Sequence, residues 1–203
     1  MAASVRRAQA GDAGAFAELY SLVYKDLYRI ALLNLNNNEQ DASDVVSDTV
    51  LEAYRNIPKL RDPSSFRGWI TAILTAQINK KLKEYHKERS LREDIDDLEE
   101  TQPDKAQTET DFDSVALKQA MQSLSEEERM IITLSAVSGY TSEEIAGITG
   151  TSAGTVRSKA ARAKAKLRQL LGALTCFFRS SNSRRLCLAA SLSSSRISRS
   201  AVL

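Results

Sequence analysis

Residues 141–171, TSEEIAGITGTSAGTVRSKAARAKAKLRQLL, leave few folds open to the chain. Thr141 stands three residues before Glu144, the spacing at which a hydroxyl and a carboxylate cap one helix N-terminus reciprocally. Ile145, Ala146 and Ile148 give the helix that follows an apolar side. Gly150 ends it, because glycine accepts the backbone angles of a sharp turn. Thr151 or Ser152 is placed to cap a second, longer helix. Its Ala153, Val156, Ala160, Ala163, Leu167 and Leu170 recur at steps of three and four, one stripe on a helix. Arg157, Lys164 and Arg168 lie to one side of the stripe, and Lys159, Arg162 and Lys166 to the other, with no acid between Ser152 and Leu171. This is the layout of a helix-turn-helix whose second helix packs by one face and offers small polar residues and cations to DNA. Taken alone, the charges also fit a solvated basic helix in a bundle.

The remaining chain decides what such a motif serves. With 203 residues there is room for one domain or two small ones. The formal net charge is only +2, so the sum of charges does not announce a nucleic-acid partner and their distribution must. No apolar run follows the first residues, and no stretch approaches the roughly 18 apolar residues that span a bilayer, so a cytoplasmic chain without membrane insertion is expected. Cys176 and Cys187 form no CxxC pair and His86 is the sole histidine. A zinc site needs about four N/S ligands, so no metal, cofactor or catalytic residue is expected. Strand-like alternation is absent, and the chain reads as all-α.

A first amphipathic helix, or two with a kink, is expected over 12–34, and Tyr20, Tyr24 and Tyr28 read as core and rim within it. Asn34, Asn36, Asn37 and Asn38 mark a turn. The helix expected over 41–57 has a buried stripe of Ala42, Val45, Val46, Thr49, Val50, Ala53 and Tyr54. Asp41, Asp44, Asp48 and Glu52 form an acidic ridge beside it, which reads either as a solvated face or as a dock for a basic surface. Pro58 and Pro63 bound a loop. Ser64 or Ser65 is placed to cap a helix reaching about residue 92, with Phe66, Trp69, Ile70, Ile73, Leu74, Ile78, Leu82 and Tyr85 as its apolar positions. Nine cations fall between 59 and 92 against three acids, and most follow Asn79, as a helix end tracking a phosphate backbone requires. Trp69 reads as core, with stacking on an unpaired base as the sharper alternative.

The sign of the charge then reverses. Ten acids and one cation, Lys105, occupy 93–113, a composition that favours an extended linker. Beyond it a helix is expected over 115–124. Ser125 and Glu128 repeat the capping-box spacing and open a helix with Met130, Ile131, Ile132, Leu134 and Val137 inside, ended by Gly139. Four helices in so short a span leave no room for an enzyme pocket. Residues 172–203 carry five arginines and no acid; without them 23 cations face 26 acids, so this Ser/Arg-rich tail makes the chain positive. Disorder or a weak helix is expected there, and a shifted reading frame would give a similar composition.

In order, the chain shows an acidic-ridged helix, a bounded loop, a basic helix, an acidic linker and a four-helix domain ending in helix-turn-helix. This resembles the extracytoplasmic-function group of the bacterial sigma-70 family. Three stretches carry the resemblance: DASDVVSDTVLEAYRNI, like region 2.2; SSFRGWITAIL, like the start of the promoter-melting part; and LSEEERMIITLSAVSGYTSEEIAGITGTSAGTVRSKAARAKAKL, like region 4. Departures are Ser125 where the family often has Pro, Ala76 and Lys80 where it usually has Asn and Asp, and Lys159 where Arg is common.

The resemblance implies two small helical domains joined by an acidic flexible linker. The expected boundaries are an N-terminal extension at 1–11, a region 2-like domain at 12–92, the linker at 93–113, a region 4-like domain at 114–171 and the tail at 172–203. It further implies that Asp44, Val45, Asp48, Thr49 and Glu52 dock on the β′ clamp helices of core RNA polymerase, while region 4 meets the β flap. Lys59, Leu60, Arg61, Asp62, Ser64 and Ser65 would hold a flipped base of the −10 element, at an extrusion cost of a few kcal/mol. Lys80, Lys81, Lys83 and Lys87 would steady the DNA backbone. Ser152, Thr155, Arg157, Ser158, Lys159 and Arg162 would meet the −35 element. An anti-sigma factor is implied as a further partner. The competing readings are a conventional helix-turn-helix regulator with an N-terminal sensor or dimerisation domain, and a protein-interaction bundle with merely solvated basic faces.

Overall fold

A computed structural model describes residues 1–93 and 120–171, and these residues are helical wherever they are regular. The expected linker beyond Glu93, which ends the last helix of the first half, and the tail lie outside the described residues, as does the helix expected at 115–124 except from Ala120 onward.

The chain opens with a helix that sequence patterning does not reveal. Helix α1 (Ala2–Gln9) buries Val5 and Ala8, with Arg6 and Arg7 in its last turn, where cations suit the helix dipole. Gly11, at φ +95°, reverses the chain. Asp12 caps α2 (Ala13–Asn34) by accepting the Ala15 N–H at 3.0 Å, and its carboxylate is clamped by Arg7 Nη2 at 2.7 Å. Residues Ala13–Asn34 form one uninterrupted helix rather than two. It stops where Asn36 and Asn37 adopt left-handed φ of 56° and 61°, a conformation asparagine tolerates better than most residues. Asn38 caps α3 (Glu39–Asn56), so that helix starts two residues before the expected Asp41.

The segment between the prolines forms two 3-10 turns, Ile57–Lys59 and Pro63–Ser65. Neither serine caps the following helix. Asp62 instead caps the Pro63–Ser65 turn, accepting from the Ser64 N–H at 2.9 Å, and α4 (Phe66–Glu93) continues from that turn. Helices α2, α3 and α4 enclose Leu19, Leu27, Ile30, Ile57, Phe66, Ile70, Leu74 and Ile78. Complete burial of each such side chain contributes about 1.5–3 kcal/mol against the entropy of ordering it. Trp69 is half-buried, its ring tilted against Phe66 with centroids 6.0 Å apart. Tyr20 and Tyr28 pack on the core, while Tyr24 is exposed.

In the C-terminal half α5 (Glu126–Ile132) carries the capping box of Ser125 and Glu128 and runs into a π turn, Thr133–Val137. After Gly139, at φ +72°, come α6 (Ser142–Thr149) and α7 (Ala153–Leu171). Val156, Ala163 and Leu167 form the buried stripe of α7. Leu170, expected in that stripe, is 57% exposed, because the helix has run past its partners among the described residues. Arg129 is buried, held through its guanidinium by the carbonyls of Met121 (3.1 Å) and Leu124 (3.3 Å). Burial pushes its pKa down, and these oxygens and Asn36 supply partners for the charge.

The two halves pack directly on each other. Met130, Ile131, Leu134, Ile145 and Val156 join the same core as α2 and α4. Arg129 Nη1 donates to Asn36 Oδ1 across the seam at 2.7 Å, and His86 Nε2 meets Glu126 Oε1 at 2.7 Å. Tyr140 reaches α4 with its hydroxyl, 2.9 Å from Thr71 Oγ1 and donating to the Arg67 carbonyl at 3.2 Å. The Arg67 guanidinium lies over its ring, 5.9 Å from the centroid.

Candidate nucleic-acid interface

The helix-turn-helix is built as its local chemistry demands. Thr141 accepts the Glu144 N–H at 3.2 Å, and Glu144 Oε2 accepts the Thr141 N–H at 2.8 Å, so two otherwise orphaned donors of α6 are satisfied. Gly150 takes φ +69°, a left-handed C-terminal turn. Ser152, rather than Thr151, caps α7 by accepting the Thr155 N–H at 3.1 Å. With Val156 and Ala163 turned inward, Gly154, Ser158, Ala161 and Ala165 face outward, with Arg157 and Arg162 exposed on either side.

The six cations of α7 divide by partner. Arg157 Nη1 bonds Glu143 Oε1 of α6 at 2.8 Å, with both side chains exposed. Exposed pairs of this kind contribute about 0–1 kcal/mol and yield readily to a phosphate. Lys166 Nζ bonds Glu128 Oε2 at 2.7 Å. That hydrogen bond is the largest influence holding the Glu128 carboxyl below its ordinary range. Lys159 is turned toward α5, where it pairs with Glu127. It lines a cleft of about 280 Å³ between the halves with Thr75, Asn79, Lys83 and Met130. Lys159, expected among the DNA-facing residues, lies here against α5. Arg162, Lys164 and Arg168 form no ion pair among the described residues.

The second candidate face is the loop before α4. Pro58, Lys59, Arg61, Ser64 and Ser65 are exposed, but Leu60 is buried, which removes it from a set that would touch a base. Asp62 is exposed and committed to the loop itself. Its carboxylate accepts from the Ser64 hydroxyl and N–H, which hold its pKa below the ordinary range. Behind the loop Lys80 and Lys87 are exposed. Lys81 is not available in the same way: its Nζ lies 2.8 Å from Asp41 Oδ1, and Tyr85 donates to the other carboxylate oxygen. Partial burial pushes the Asp41 carboxyl up, but the hydrogen bonds from Lys81 and Tyr85 outweigh it and leave the group below its ordinary range. Burial, aided by Asp41, pushes the Tyr85 phenol up. Asp41 therefore ties α3 to α4 and leaves the acidic ridge.

Helix α3 presents a third face. Val45 and Thr49, named as docking residues, are buried, and the Thr49 hydroxyl donates to the Val45 carbonyl at 2.7 Å. Glu52 is half-buried and accepts from Gln77 Nε2 at 2.7 Å. The exposed edge consists of Ser43, Asp44, Ser47, Asp48, Leu51 and Arg55. Leu51, 54% exposed, is an apolar contact that the charge pattern concealed; Tyr54, at 49%, packs edge-on against Phe16. Among the described residues no cluster of His, Cys, Asp and Glu could hold a metal, and no helix is long and apolar enough to cross a membrane.

Comparison with known proteins places these faces in a family. Residues 16–88 match the family model of sigma-70 region 2, and residues 114–167 match that of sigma-70, region 4. The ECF RNA polymerase sigma factor SigM of Mycobacterium tuberculosis is 30% identical over 165 residues, which cover 81% of each chain. The ECF RNA polymerase sigma factor EcfG of Rhodopseudomonas palustris is 29% identical over 70% of this chain and 78% of its own. Among solved structures, the sigma factor RpoE from Bartonella quintana, in complex with the anti-sigma factor NepR, matches 77% of this chain and 96% of its own, at a TM-score of 0.64 and 27% identity. With both regions present in family order, the chain belongs to the extracytoplasmic-function sigma factors of the sigma-70 family.

Proposed function

We propose that the chain binds core RNA polymerase, recognises −35 and −10 promoter elements and promotes melting, without catalysing a reaction itself. One observation carries this reading above the others: two faces suited to DNA stand on two halves that match regions 2 and 4 in order. In region 4, Ser152 and Thr155 sit at the N-terminus of α7, where backbone N–H groups favour a phosphate. The small side chains of Gly154, Ser158, Ala161 and Ala165 let that helix lie deep in a major groove, with Arg157 and Arg162 at its rims. In region 2, Lys59, Arg61, Ser64 and Ser65 surround a flipped −10 base, and Lys80 and Lys87 meet phosphates. The exposed edge of α3, with Asp44, Asp48 and Leu51, docks on the polymerase clamp. The chain works in the cytoplasm, where polymerase is.

The packing of the halves adds a step. Elements centred near −35 and −10 lie about 25 base pairs apart, about 85 Å at 3.4 Å per pair. Halves joined through Tyr140, Thr71 and Arg67 cannot reach both. Residues 94–119, fully extended, reach about 90 Å, so the seam must open when polymerase and promoter are engaged. An anti-sigma factor, of the kind seen with the Bartonella relative, would act by opposing that opening or covering α3. Run-off transcription with purified core enzyme, followed by mapping of transcript starts, tests the proposal. Transcripts from discrete starts that need the added chain support it; output indistinguishable from core alone removes it.

A further inference from the structure

Helix α1 lies outside the residues that match region 2, yet it touches the part of region 2 on which the −10 reading depends. Its last residue, Gln9, is half-buried and reaches across to the proline-bounded loop. Gln9 Nε2 donates to the Leu60 carbonyl at 2.7 Å and to the Ile57 carbonyl at 3.1 Å. The Ile57 oxygen also accepts the Leu60 N–H at 3.1 Å, closing the first 3-10 turn. One amide thus gathers the carbonyls on either side of Pro58 and Lys59. Helix α1 itself is fixed by burial of Val5 and Ala8 and by the Arg7–Asp12 ion pair.

The other end of the loop is held separately, by Asp62 with Ser64 and by the Ser65 hydroxyl on the Asp62 carbonyl. Between these ties Leu60 is sunk into the core as a peg, and Lys59 and Arg61 project on either side of it. The backbone direction at Ile57 and Leu60 decides where those cations point, and Gln9 is the side chain that holds it.

We propose that Gln9 is a positioning residue for −10 recognition: by bonding the Ile57 and Leu60 carbonyls it preorganises the loop that receives the flipped base. A loop already in its binding conformation does not spend binding energy on ordering itself, and a rigid pocket rejects a wrong base more strongly than a pliant one. The inference rests on the assignment of the loop to the −10 element.

The test uses holoenzyme assembled from core polymerase and the full chain, on a promoter found by start-site mapping and on versions with each −10 base replaced. The readout is the ratio of transcript from the native promoter to transcript from the substituted ones. Gln9→Met keeps the length and helix preference of the side chain and removes the donor. It lowers the ratio at least about fivefold, because both carbonyls lose the amide donor, while core binding stays at the wild-type value. Gln9→Ala gives the same fall. Lys59→Ala and Arg61→Ala serve as the reference for the loop. If they lower the ratio and Gln9→Met does not, the positioning role is overturned and the loop assignment stands. If none of the variants lowers it, the loop assignment falls first. A Gln9→Met chain that loses thermal stability but keeps the ratio marks Gln9 as structural only and also overturns the inference.

Discussion

Replacing Tyr140 by Phe removes one hydroxyl from the seam between the two halves and leaves the ring in place. That hydroxyl lies 2.9 Å from Thr71 Oγ1 and donates to the Arg67 carbonyl at 3.2 Å. Thr71 keeps its own bond to the Arg67 carbonyl at 2.9 Å, so no acceptor is orphaned. The loss is therefore that of a single net hydrogen bond, about 1 kcal/mol, or about fivefold in the balance between closed and open arrangements. Tyr140→Ala also removes the half-buried ring beneath the Arg67 guanidinium. Its cost is about 2 kcal/mol more, bringing the total shift to roughly a hundredfold. The balance is read by energy transfer between dyes on Ser90 and Gln169, both exposed, with Cys176 and Cys187 replaced by Ser. Transfer falls from wild type to Phe to Ala, and the chain concentration that half-saturates core enzyme falls in the same order, because less of the chain is held in the form that must open. Unchanged transfer in both variants, with wild-type core binding, would refute the idea that this seam holds the closed form.

Three other outcomes separate the residues that the structure divides. Reversing Asp44 and Asp48 to Lys lowers co-purification with core polymerase at least tenfold, whereas Val45→Ala costs about 2 kcal/mol of thermal stability and leaves the core affinity of folded chain intact; the opposite pattern would place the dock elsewhere. Arg157→Ala and Arg162→Ala each weaken −35-dependent transcription and reduce the salt slope of promoter binding by about one. Lys159→Ala leaves that slope unchanged, since its side chain, unlike that of Arg157, is mostly covered against α5. Asp41→Asn costs about 1–2 kcal/mol at neutral pH. The Asp41 carboxyl is held below its ordinary value in the folded chain, so its contribution is complete above the unfolded pKa of about 3.9 and is lost as pH falls through the lower folded value. Acid titrations of the two proteins should begin to approach each other below about pH 4 and converge only beneath the lower folded value, and a gap that persists there would mean the ion pair with Lys81 is not the source.

What could be read in the sequence was local. Capping boxes at Ser125 and Thr141, the glycine turn at 150 and the stripe through Val156, Ala163 and Leu167 depend on neighbours three or four residues away, and each formed as expected. The stripe of α3 already contained Val45 and Thr49; the family resemblance, not the periodicity, moved them to a docking surface. What escaped was long-range. Lys81 finds Asp41 and Lys159 finds Glu127 only after the helices pack, and nothing local distinguishes these lysines from Lys80 or Arg162. Helix α1 is too short for a stripe to stand out, and Gln9 meets carbonyls some fifty positions away. The seam at Tyr140 escaped because a single aromatic after a turn glycine carries no pattern.

A sigma factor and a conventional regulator differ most plainly in what they do without polymerase. A labelled duplex carrying the mapped promoter should be titrated with the chain alone and with the chain on core enzyme, at one salt concentration. The expected result is weak binding with little sequence preference alone, and tight binding that requires both the −35 and −10 elements once core is present. Tight, sequence-specific binding by the chain alone, unaltered by core polymerase, would contradict it.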